Sequence, residues 1–339
     1  MYRLLLPLSW LYTLVVSLRN RLFDFGLLPS YRPSVATLSI GNLAVGGTGK
    51  TPHTEFLARH FLSSGLRVAI LSRGYGRTTR GYRSAGPAST SGEVGDEPLQ
   101  MFRRFGGRVQ VAVCERRAAG LRRLEAEAEA PDVVLLDDAF QHRYVKPHFS
   151  LLLTDWSRLY SSDHVLPAGR LRESRQGARR ADVIIVSKCP PALSEAERRA
   201  IVERLQPTAR QRVFFSTMVY APLALPSECH SAVLLTGIAR PEPLAEHLAA
   251  SGIAIERHLR YPDHHRFSLS DLRDIIHILR SGSCIVTTAK DYARLLSAGL
   301  PPELVQHIIV QEVGIGILFN QENEFLSCLE RFKKPHRGC

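Results

Sequence analysis

The residues whose chemistry is clearest lie in the segment GGTGKT, Gly46 to Thr51, which follows a short apolar run and opens a helical pattern. Glycines let successive backbone N–H groups face phosphate oxygens, and a helix N-terminus adds partial positive charge. Lys50 suits β- and γ-phosphates, and the hydroxyl of Thr51 suits Mg²⁺. We therefore predict a phosphate-binding loop made of Ala44, Val45, Gly46, Gly47, Thr48, Gly49, Lys50 and Thr51.

This loop departs from the strict G-x-x-x-x-G-K-[ST] pattern, because Ala44 stands where the first glycine is expected. The alternative interpretation is a glycine-rich turn before an ordinary helix. Strand, loop, lysine, threonine and helix nevertheless occur in the right order. This order favours phosphate binding, with Gly46, Gly47 and Gly49 as the working glycines.

Two aspartates end the apolar run DVVLLDD, Asp132 to Asp138. A carboxylate at this point lies at the carboxyl edge of a sheet, where doubly wound folds bind ligands. Asp137 and Asp138 are therefore candidates to hold Mg²⁺, directly or through water. Alternatively, they cap the next turn; the preceding phosphate loop favours the metal.

The motif GDEP follows a long loop rich in Gly, Ser, Thr and Arg, and loops of that length commonly carry function. Asp96 is a candidate base for a substrate hydroxyl or a Mg²⁺ ligand. The alternative is a helix N-cap aspartate followed by Glu97 in the first turn.

Two further segments hold candidate polar groups. YPDHHRF contains Asp263, His264 and His265 before a helix, which suits an acid–base dyad or a metal ligand set, or else surface histidines. LPAGRLRES places Arg170 and Arg172 on a turn, where arginines can clamp phosphates. In a chain with 44 Lys and Arg, an arginine without a specific role is the default expectation.

The elements that position these residues alternate between short apolar runs and helical patterns. The runs are too short for helices and are continuous, as in strands buried on both faces. Alternation of this kind predicts an α/β fold with a mainly parallel, P-loop-like sheet. We predict an apolar N-terminal helix in 1–30, a larger P-loop domain in 31–218, a linker in 219–231 and a smaller α/β domain in 232–339. A single extended sheet with an irregular excursion is the alternative.

Composition describes a folded protein with an anionic partner. The 339 residues are 45% hydrophobic and 22% charged, and the formal net charge is +12. That balance suits nucleic acid, an acidic membrane or phosphorylated ligands without choosing among them. The six cysteines show no C-x-x-C spacing, so neither a zinc site nor a disulfide framework is indicated. A reduced cytoplasmic environment fits best.

The N-terminal segment Leu4 to Leu18 is almost entirely apolar. Its roughly 15 residues fall short of the roughly 20 that span a bilayer, and no small-residue cleavage site follows. Trp10 and Tyr12 suit the headgroup level, and Arg19 and Arg21 suit anionic lipid. We predict an interfacial helix; a buried helix or an interaction helix is the alternative.

Eight motifs in this order resemble the tetraacyldisaccharide 4'-kinase family, the lipid A 4'-kinases: SIGNLAVGGTGKTP, LSRGYGR, GDEP, DDAFQHR, LPAGRLRE, TGIARPEP, PDHHRF and TAKDYAR. The resemblance implies ATP- and Mg²⁺-dependent phosphorylation of the 4'-hydroxyl of a tetraacylated glucosamine disaccharide 1-phosphate, a step in lipid A biosynthesis. It also implies two α/β/α domains with ATP between them. The implied location is the cytoplasmic face of the inner membrane of a Gram-negative bacterium.

The resemblance further implies roles for individual residues. Asp96 corresponds to the base, and His264 to its partner. The metal candidates are Thr51, Glu97, Asp137, Asp138 and Gln141; the other catalytic candidates, for phosphate or substrate, are Lys50, Arg117 and Arg172. The family usually has glycine at Ala139 and proline at Arg170, which leaves open which arginine contacts phosphate.

Two other functions are alternatives to this kinase. A P-loop ATPase or GTPase of the partitioning or targeting type would act on a protein partner, but it needs neither GDEP with PDHH nor an apolar N-terminus. A nucleic-acid-binding protein is suggested by charge alone and lacks a recognisable motif. We expect the lipid substrate and the membrane surface as partners, and neither nucleic acid nor an obligate protein partner.

Overall fold

Most of the predicted site residues lie along one large sheet. The computed structural model describes residues 5–263, 265–279 and 283–330. The helices are α1 (Leu6–Asp24), α2 (Lys50–Ser63), α3 (Ser91–Val94), α4 (Asp96–Phe105), α5 (Arg117–Glu125), α6 (Glu195–Leu205), α7 (Glu242–Ala250), α8 (Leu269–Ile278), α9 (Ala289–Ser297), α10 (Pro302–Val305) and α11 (Glu322–Glu330). The strands are β1 (Ala36–Asn42), β2 (Val68–Ser72), β3 (Arg83–Ser84), β4 (Gln110–Val113), β5 (Val133–Asp137), β6 (Phe149–Asp155), β7 (Val183–Ser187), β8 (Arg212–Tyr220), β9 (Ser231–Thr236), β10 (Ile255–Arg260), β11 (Ser283–Thr288), β12 (Ile308–Gln311) and β13 (Val313–Ile317).

The large sheet has the strand order β13-β8-β7-β6-β1-β5-β2-β4-β3. Its strands β2, β4, β5, β1, β6, β7 and β8 run parallel, and the edge strands β3 and β13 are antiparallel to their neighbours. Residue Ile40 of β1 is in register with Asp137, the last residue of β5, and β1 continues to Asn42. The predicted α/β class with a mainly parallel sheet is confirmed.

The core explains why the central strands are mostly apolar, with small polar residues such as Thr37 and Ser39 in β1. Every residue of β1, β2, β5 and β7 is buried. On one face, side chains of α2, α4 and α11 pack against the sheet, and on the other face α5 and α6 do so. A strand covered on both faces cannot alternate polar and apolar residues without burying polar groups.

A second, four-stranded parallel sheet has the order β10-β9-β11-β12. Its strands and helices come from the range predicted as the smaller domain. The chain then returns: β13 pairs antiparallel with β8, with Val313 opposite Tyr220. Phe325 and Leu329 of α11 are buried in the core of the large sheet. Residues 313–330 therefore belong with the first sheet and not with the range 232–339 in which we expected them.

The N-terminal helix α1 lies on the surface, with a contact face of mixed polarity and an apolar exposed face. Ser9 and Phe23 are buried against the rest of the chain. Its exposed apolar side chains are Leu8, Trp10, Leu11, Leu14, Val15 and Leu18, each at least 55% exposed. No helix within the described ranges combines the length and apolar character needed to cross a membrane. The alternative of a buried apolar helix does not agree with these exposures.

The return of the chain to the large sheet makes a testable prediction. Phe325 is 1% exposed and packs edge-on against Phe214. Phe325→Ala should lower the free energy of unfolding by about 3–5 kcal/mol, because it removes a buried ring and leaves a cavity. Asn323→Ala, at an exposed position of the same helix, should change it by less than about 0.5 kcal/mol. Urea denaturation of both variants measures the difference, and equal effects would contradict this packing.

Candidate active site

The predicted phosphate loop connects β1 to α2 and keeps the backbone geometry that phosphate binding needs. Gly46 and Gly49 have φ values of 107° and 78°, which side chains with a Cβ rarely adopt. Gly49 is the residue before the first turn of α2, so Lys50 and Thr51 begin the helix. The loop thus presents its backbone at a helix N-terminus, as expected for an anion site.

Side chains below the loop fix its shape. Asn42 Nδ2 donates to Thr48 Oγ1 at 2.9 Å, and Ser187 Oγ donates to the Thr48 carbonyl at 2.9 Å. Ala44 forms a bridge with Leu171, and Val45 N–H donates to the Arg170 carbonyl at 2.8 Å. Ala44 is therefore held by backbone pairing, where a glycine's conformational freedom is unnecessary.

Lys188 is a site residue that our sequence interpretation missed. It follows β7 directly, adopts a φ of 57°, and its Nζ donates to the carbonyl of Gly47 in the phosphate loop. The same Nζ lies 3.2 Å from the carboxylate of Asp155 at the end of β6. Both residues stand where buried strands end, so the rule that selected Asp137 also selects this pair.

The acidic pair at the end of β5 lies beside the loop. Asp137 is 1% exposed, and it accepts hydrogen bonds from Ser72 Oγ at 3.3 Å and Thr54 Oγ1 at 3.5 Å. Burial raises the pKa of Asp137 to about 7, the charges of Glu97 and Asp138 add to the rise, and Lys50 opposes it. A carboxylate so placed is stabilised by a nearby cation.

Asp138 is turned the other way, towards the basic residues. Its φ of 45° is unusual for a residue with a side chain, and its carboxylate lies 3.5 Å from Lys50 Nζ and 3.2 Å from Arg172 Nη1. Burial alone would raise the pKa of Asp138, but Lys50 and Arg172 hold it below its ordinary value. Arg170 is exposed, so the side chain that faces this cluster is that of Arg172.

Gln141 and Glu173 complete the wall of the cluster. Gln141 Nε2 donates to the carbonyl of Asn42 at 2.7 Å and to Glu173 Oε1 at 3.2 Å. Glu173 is 1% exposed and also accepts from Asn20 of α1 at 2.9 Å. Our sequence interpretation selected Gln141 but missed Glu173, although it follows Arg172 in the same motif.

Arg117 lies behind the site and does not face the cleft in this conformation. Its side chain is 2% exposed, and it donates to the backbone carbonyls of Cys114 at 3.0 Å and Asp137 at 3.1 Å. Burial lowers the pKa of Arg117 to about 10, with Asp137 and Asp138 opposing the shift. The contact that the structure gives Arg117 is thus with the backbone of the acidic pair, and no contact with a phosphate follows from it.

The GDEP motif places both of its acidic residues at the start of α4. Gly95 has a φ of 94°, and a Cβ there would lie 2.9 Å from the Tyr75 carbonyl, so the long loop and α4 meet closely. Asp96 accepts from Arg294 Nε at 2.8 Å, and Glu97 lies 3.7 Å from Lys290 Nζ. Both carboxylates therefore face α9 of the smaller sheet.

The PDHH segment is described in part. Asp263 is exposed, and His265 Nε2 lies 3.1 Å from Asp271 at the start of α8. In this structure, the contact of His265 is therefore with the start of helix α8. His264, the predicted partner of Asp96, lies outside the described residues.

The donor set at this edge fits a cation that is bound mainly through phosphate. Among the described residues, no three His, Cys, Asp or Glu side chains form a ready metal site. Mg²⁺ commonly uses one or two carboxylates together with substrate phosphates and water. The buried carboxylate of Asp137, whose pKa is raised by its burial and by two neighbouring carboxylates, is the observation that fits such an ion.

A phosphate loop between a strand and a helix, with an acidic residue ending the adjacent parallel strand, defines the class of P-loop α/β proteins. Comparison with known proteins narrows this class. The family model described as tetraacyldisaccharide-1-P 4'-kinase, LpxK, matches residues 1–332, and the chain belongs to that family.

Individual relatives agree with the family. A tetraacyldisaccharide 4'-kinase of Bacteroides thetaiotaomicron is 43% identical, over 96% of this chain and 91% of the relative. One from Flavobacterium johnsoniae is 40% identical, over 98% and 97%. The solved structure of LpxK from Aquifex aeolicus in complex with ATP superimposes with a TM-score of 0.77 at 28% identity, covering 98% of this chain and 99% of that one.

His53, one turn into α2, provides a pH-dependent test of how the loop is held. It is 1% exposed, with Nδ1 2.7 Å from the Gly49 carbonyl and Nε2 2.9 Å from Ser216 Oγ. Burial lowers the pKa of His53 to about 4, and the Gly49 carbonyl opposes this only in part. The unfolded chain therefore binds a proton near pH 6.5 that the folded chain refuses until about pH 4.

The stability that His53 contributes should be fully present above pH 6.5 and lost as the pH falls towards 4. The difference in unfolding free energy between wild type and His53→Gln should shrink across that window, by up to about 1.4 kcal/mol per pH unit. Urea denaturation at pH 7.5, 6, 5 and 4.5 measures it. A difference in unfolding free energy that does not change with pH would show that protonation of His53 does not cause the loss of stability.

Proposed function

We propose that this protein transfers the γ-phosphate of ATP to the 4'-hydroxyl of a tetraacylated glucosamine disaccharide 1-phosphate, a step in lipid A biosynthesis. The observation that carries the proposal is membership of the tetraacyldisaccharide-1-P 4'-kinase family by a chain that has both a phosphate loop before α2 and the carboxylate of Asp96 at the start of α4. The tetraacyldisaccharide 4'-kinase activity for which the relatives are named supports the choice of substrate.

The phosphate loop and its basic neighbours would bind the phosphates of ATP. Lys50 and Arg172 share Asp138 as a partner in this structure. When ATP binds, the backbone N–H groups of the loop and Lys50 would hold its phosphates, and Arg172 would compensate charge on the transferring group. Arg117 would support this edge from behind, through the backbone of Asp137.

Mg²⁺, when bound, would neutralise charge on the phosphates. Its candidate ligands, directly or through water, are Thr51, Glu97, Asp137, Asp138 and Gln141. Of these, Asp137 is the best placed, because it is buried and already bears the repulsion of Glu97 and Asp138.

Asp96 would act as the base on the acceptor hydroxyl. As the sugar oxygen forms its bond to the γ-phosphorus, the bond between that phosphorus and the β,γ-bridging oxygen breaks, and ADP leaves. The hydroxyl proton passes to the carboxylate of Asp96. His264 is proposed as the partner of this base, on the basis of its place in PDHH.

Turnover by active-site variants tests this function. The purified protein, ATP and Mg²⁺ should yield 4'-phosphorylated product from the disaccharide lipid in detergent. Asp96→Asn should lower kcat by about 10²–10⁴-fold with little change in the KM for ATP, because only the proton acceptor is removed. Asp274→Asn, at an exposed position on α8, is the matched control and should retain wild-type turnover. An unphosphorylated lipid, or equal turnover by both variants, would contradict the proposal.

The lipid acceptor requires the site to work at a membrane, and we propose that α1 lies in the cytoplasmic surface of the inner membrane. Its exposed face carries Trp10 and Leu14, and the chain has a net charge of +12. The opposite face touches the site, since Tyr12 OH donates to the Arg172 carbonyl at 3.1 Å. The helix therefore joins the proposed lipid surface to the phosphate cluster.

Vesicle binding tests the role of α1. Trp10→Ser/Leu14→Ser should lower co-sedimentation with phosphatidylethanolamine–phosphatidylglycerol vesicles by about tenfold or more, because two exposed apolar side chains are lost from the insertion face. The matched control is Leu269→Ser/Ile276→Ser, which removes exposed apolar side chains from α8. Equal binding by the two double variants would place the membrane contact elsewhere.

A further inference from the structure

Two motifs of the smaller sheet, TGIARPEP and TAKDYAR, have no role in the phosphate cluster, yet the structure joins them. Arg294 of the second motif donates from Nη1 to the carbonyl of Gly237 in the first, at 2.9 Å. The same Nη1 lies 3.0 Å from Oδ1 of Asp291, whose other oxygen accepts from the Gly237 N–H at 2.9 Å. Gly237, Asp291 and Arg294 thus form one cluster of polar contacts.

This cluster is buried and closely fitted. The side chains of Arg294 and Asp291 are 3% and 0% exposed. A Cβ on Gly237 would lie 3.0 Å from Asp291 Oδ1 and 3.4 Å from the carbonyl of Pro262, so only glycine leaves room for these contacts without displacement. Buried charges are costly unless they are paired and hydrogen-bonded, as these are. The arrangement therefore holds the guanidinium of Arg294 in one position.

The fixed guanidinium reaches across to the large sheet. Arg294 Nε donates to Asp96 Oδ2 at 2.8 Å, although the two residues are 198 positions apart. Asp96 is the first residue of α4, and its side chain is 24% exposed. A planar guanidinium that is anchored through one nitrogen and donates through another restricts the rotation of its partner carboxylate.

We propose that Arg294 is a positioning residue, which holds the carboxylate of Asp96 in the orientation that accepts the proton of the sugar hydroxyl. This inference rests on the proposed function, in which Asp96 is the base. It gives the smaller sheet a part in the chemistry: Gly237 and Asp291 fix Arg294, and Arg294 orients Asp96. Reactions that depend on positioning lose about 10²-fold when a reacting group is displaced by about 1 Å.

A purely structural role in holding α4 against α9 is the competing explanation, and the chain contains a matched control for it. Arg103 of α4 donates from Nη1 to the carbonyl of Ala293 on α9 at 3.1 Å. Arg103 therefore crosses the same interface between α4 and α9, and its partner Ala293 directly precedes Arg294. This bond is made to the backbone and not to Asp96. Arg103→Met therefore reports what a lost interface contact costs.

The test compares kcat per folded enzyme, counted by titration with fluorescent ADP, for Arg294→Lys and Arg103→Met. Arg294→Lys should lower kcat by about 10²-fold with the KM for ATP within about twofold, and Arg103→Met by less than about threefold. In an Asp96→Asn background, Arg294→Lys should have almost no further effect, because the group it orients is gone. Equal losses in the two arginine variants, or an undiminished effect of Arg294→Lys in that background, would overturn the proposal.

Chemical rescue provides a second measurement should the lysine variant fold poorly. Methylguanidinium should restore turnover to Arg294→Ala by about tenfold or more, and should not do so in Arg294→Ala/Asp96→Asn. Rescue of both proteins to the same extent would overturn the positioning role. Wild-type turnover reports separately on the proposed function: a wild-type protein that leaves the lipid unphosphorylated overturns both, whereas an active one confines any failure to Arg294.

Discussion

The placement of two adjacent carboxylates, one buried and one half-buried, at one edge of a parallel sheet is the constraint on which the site depends. Asp137 ends the central strand β5 and is 1% exposed, and Asp138 follows it with its side chain 31% exposed. An isolated buried charge is expensive, so the surrounding elements supply cations or hydrogen bonds. Lys50 and Arg172 approach Asp138, and Arg117 contacts the backbone of Asp137. Asp137 itself is left with hydroxyl donors and a raised pKa, which suits a divalent ion arriving with its phosphates.

The strands that are buried on both faces could be predicted from the sequence. The central strand β5 is apolar up to Asp137, and β1 departs from an apolar run only through small polar residues such as Thr37 and Ser39. The ends of these strands, and the loop and aspartates at those ends, could therefore be predicted from the sequence. Apolar runs do not predict the strands β10 and β13, because these edge strands are partly exposed and their sequences, IERHLR and VGIGI, lack a continuous apolar run.

Candidate residues at strand ends were predictable, and residues that act through side-chain geometry were not. Asp137 and Asp138 follow from position alone, but the burial of Arg117 behind them depends on how α5 packs. Arg294 lies 198 positions from the carboxylate that it contacts, and nothing in local spacing links the two. The return of β13 to β8 is likewise a long-range pairing, and it puts both chain connections of the smaller sheet beside one edge of the large one.

The contact of α1 with the segment that carries Arg172 determines how far the phosphate cluster would lie from the proposed membrane surface. Asn20 and Tyr12 bind that segment on one side of the helix, while Trp10 and Leu14 project from the helix into the surroundings. If α1 lies in the bilayer surface as proposed, the cylinder of a single α-helix, about 10–12 Å across with its side chains, would separate the phosphate cluster from the bilayer. A sugar headgroup can cover that height while its acyl chains stay in the lipid. On this geometry the protein need not extract its substrate, and the depth at which α1 rests would select which hydroxyl comes within reach.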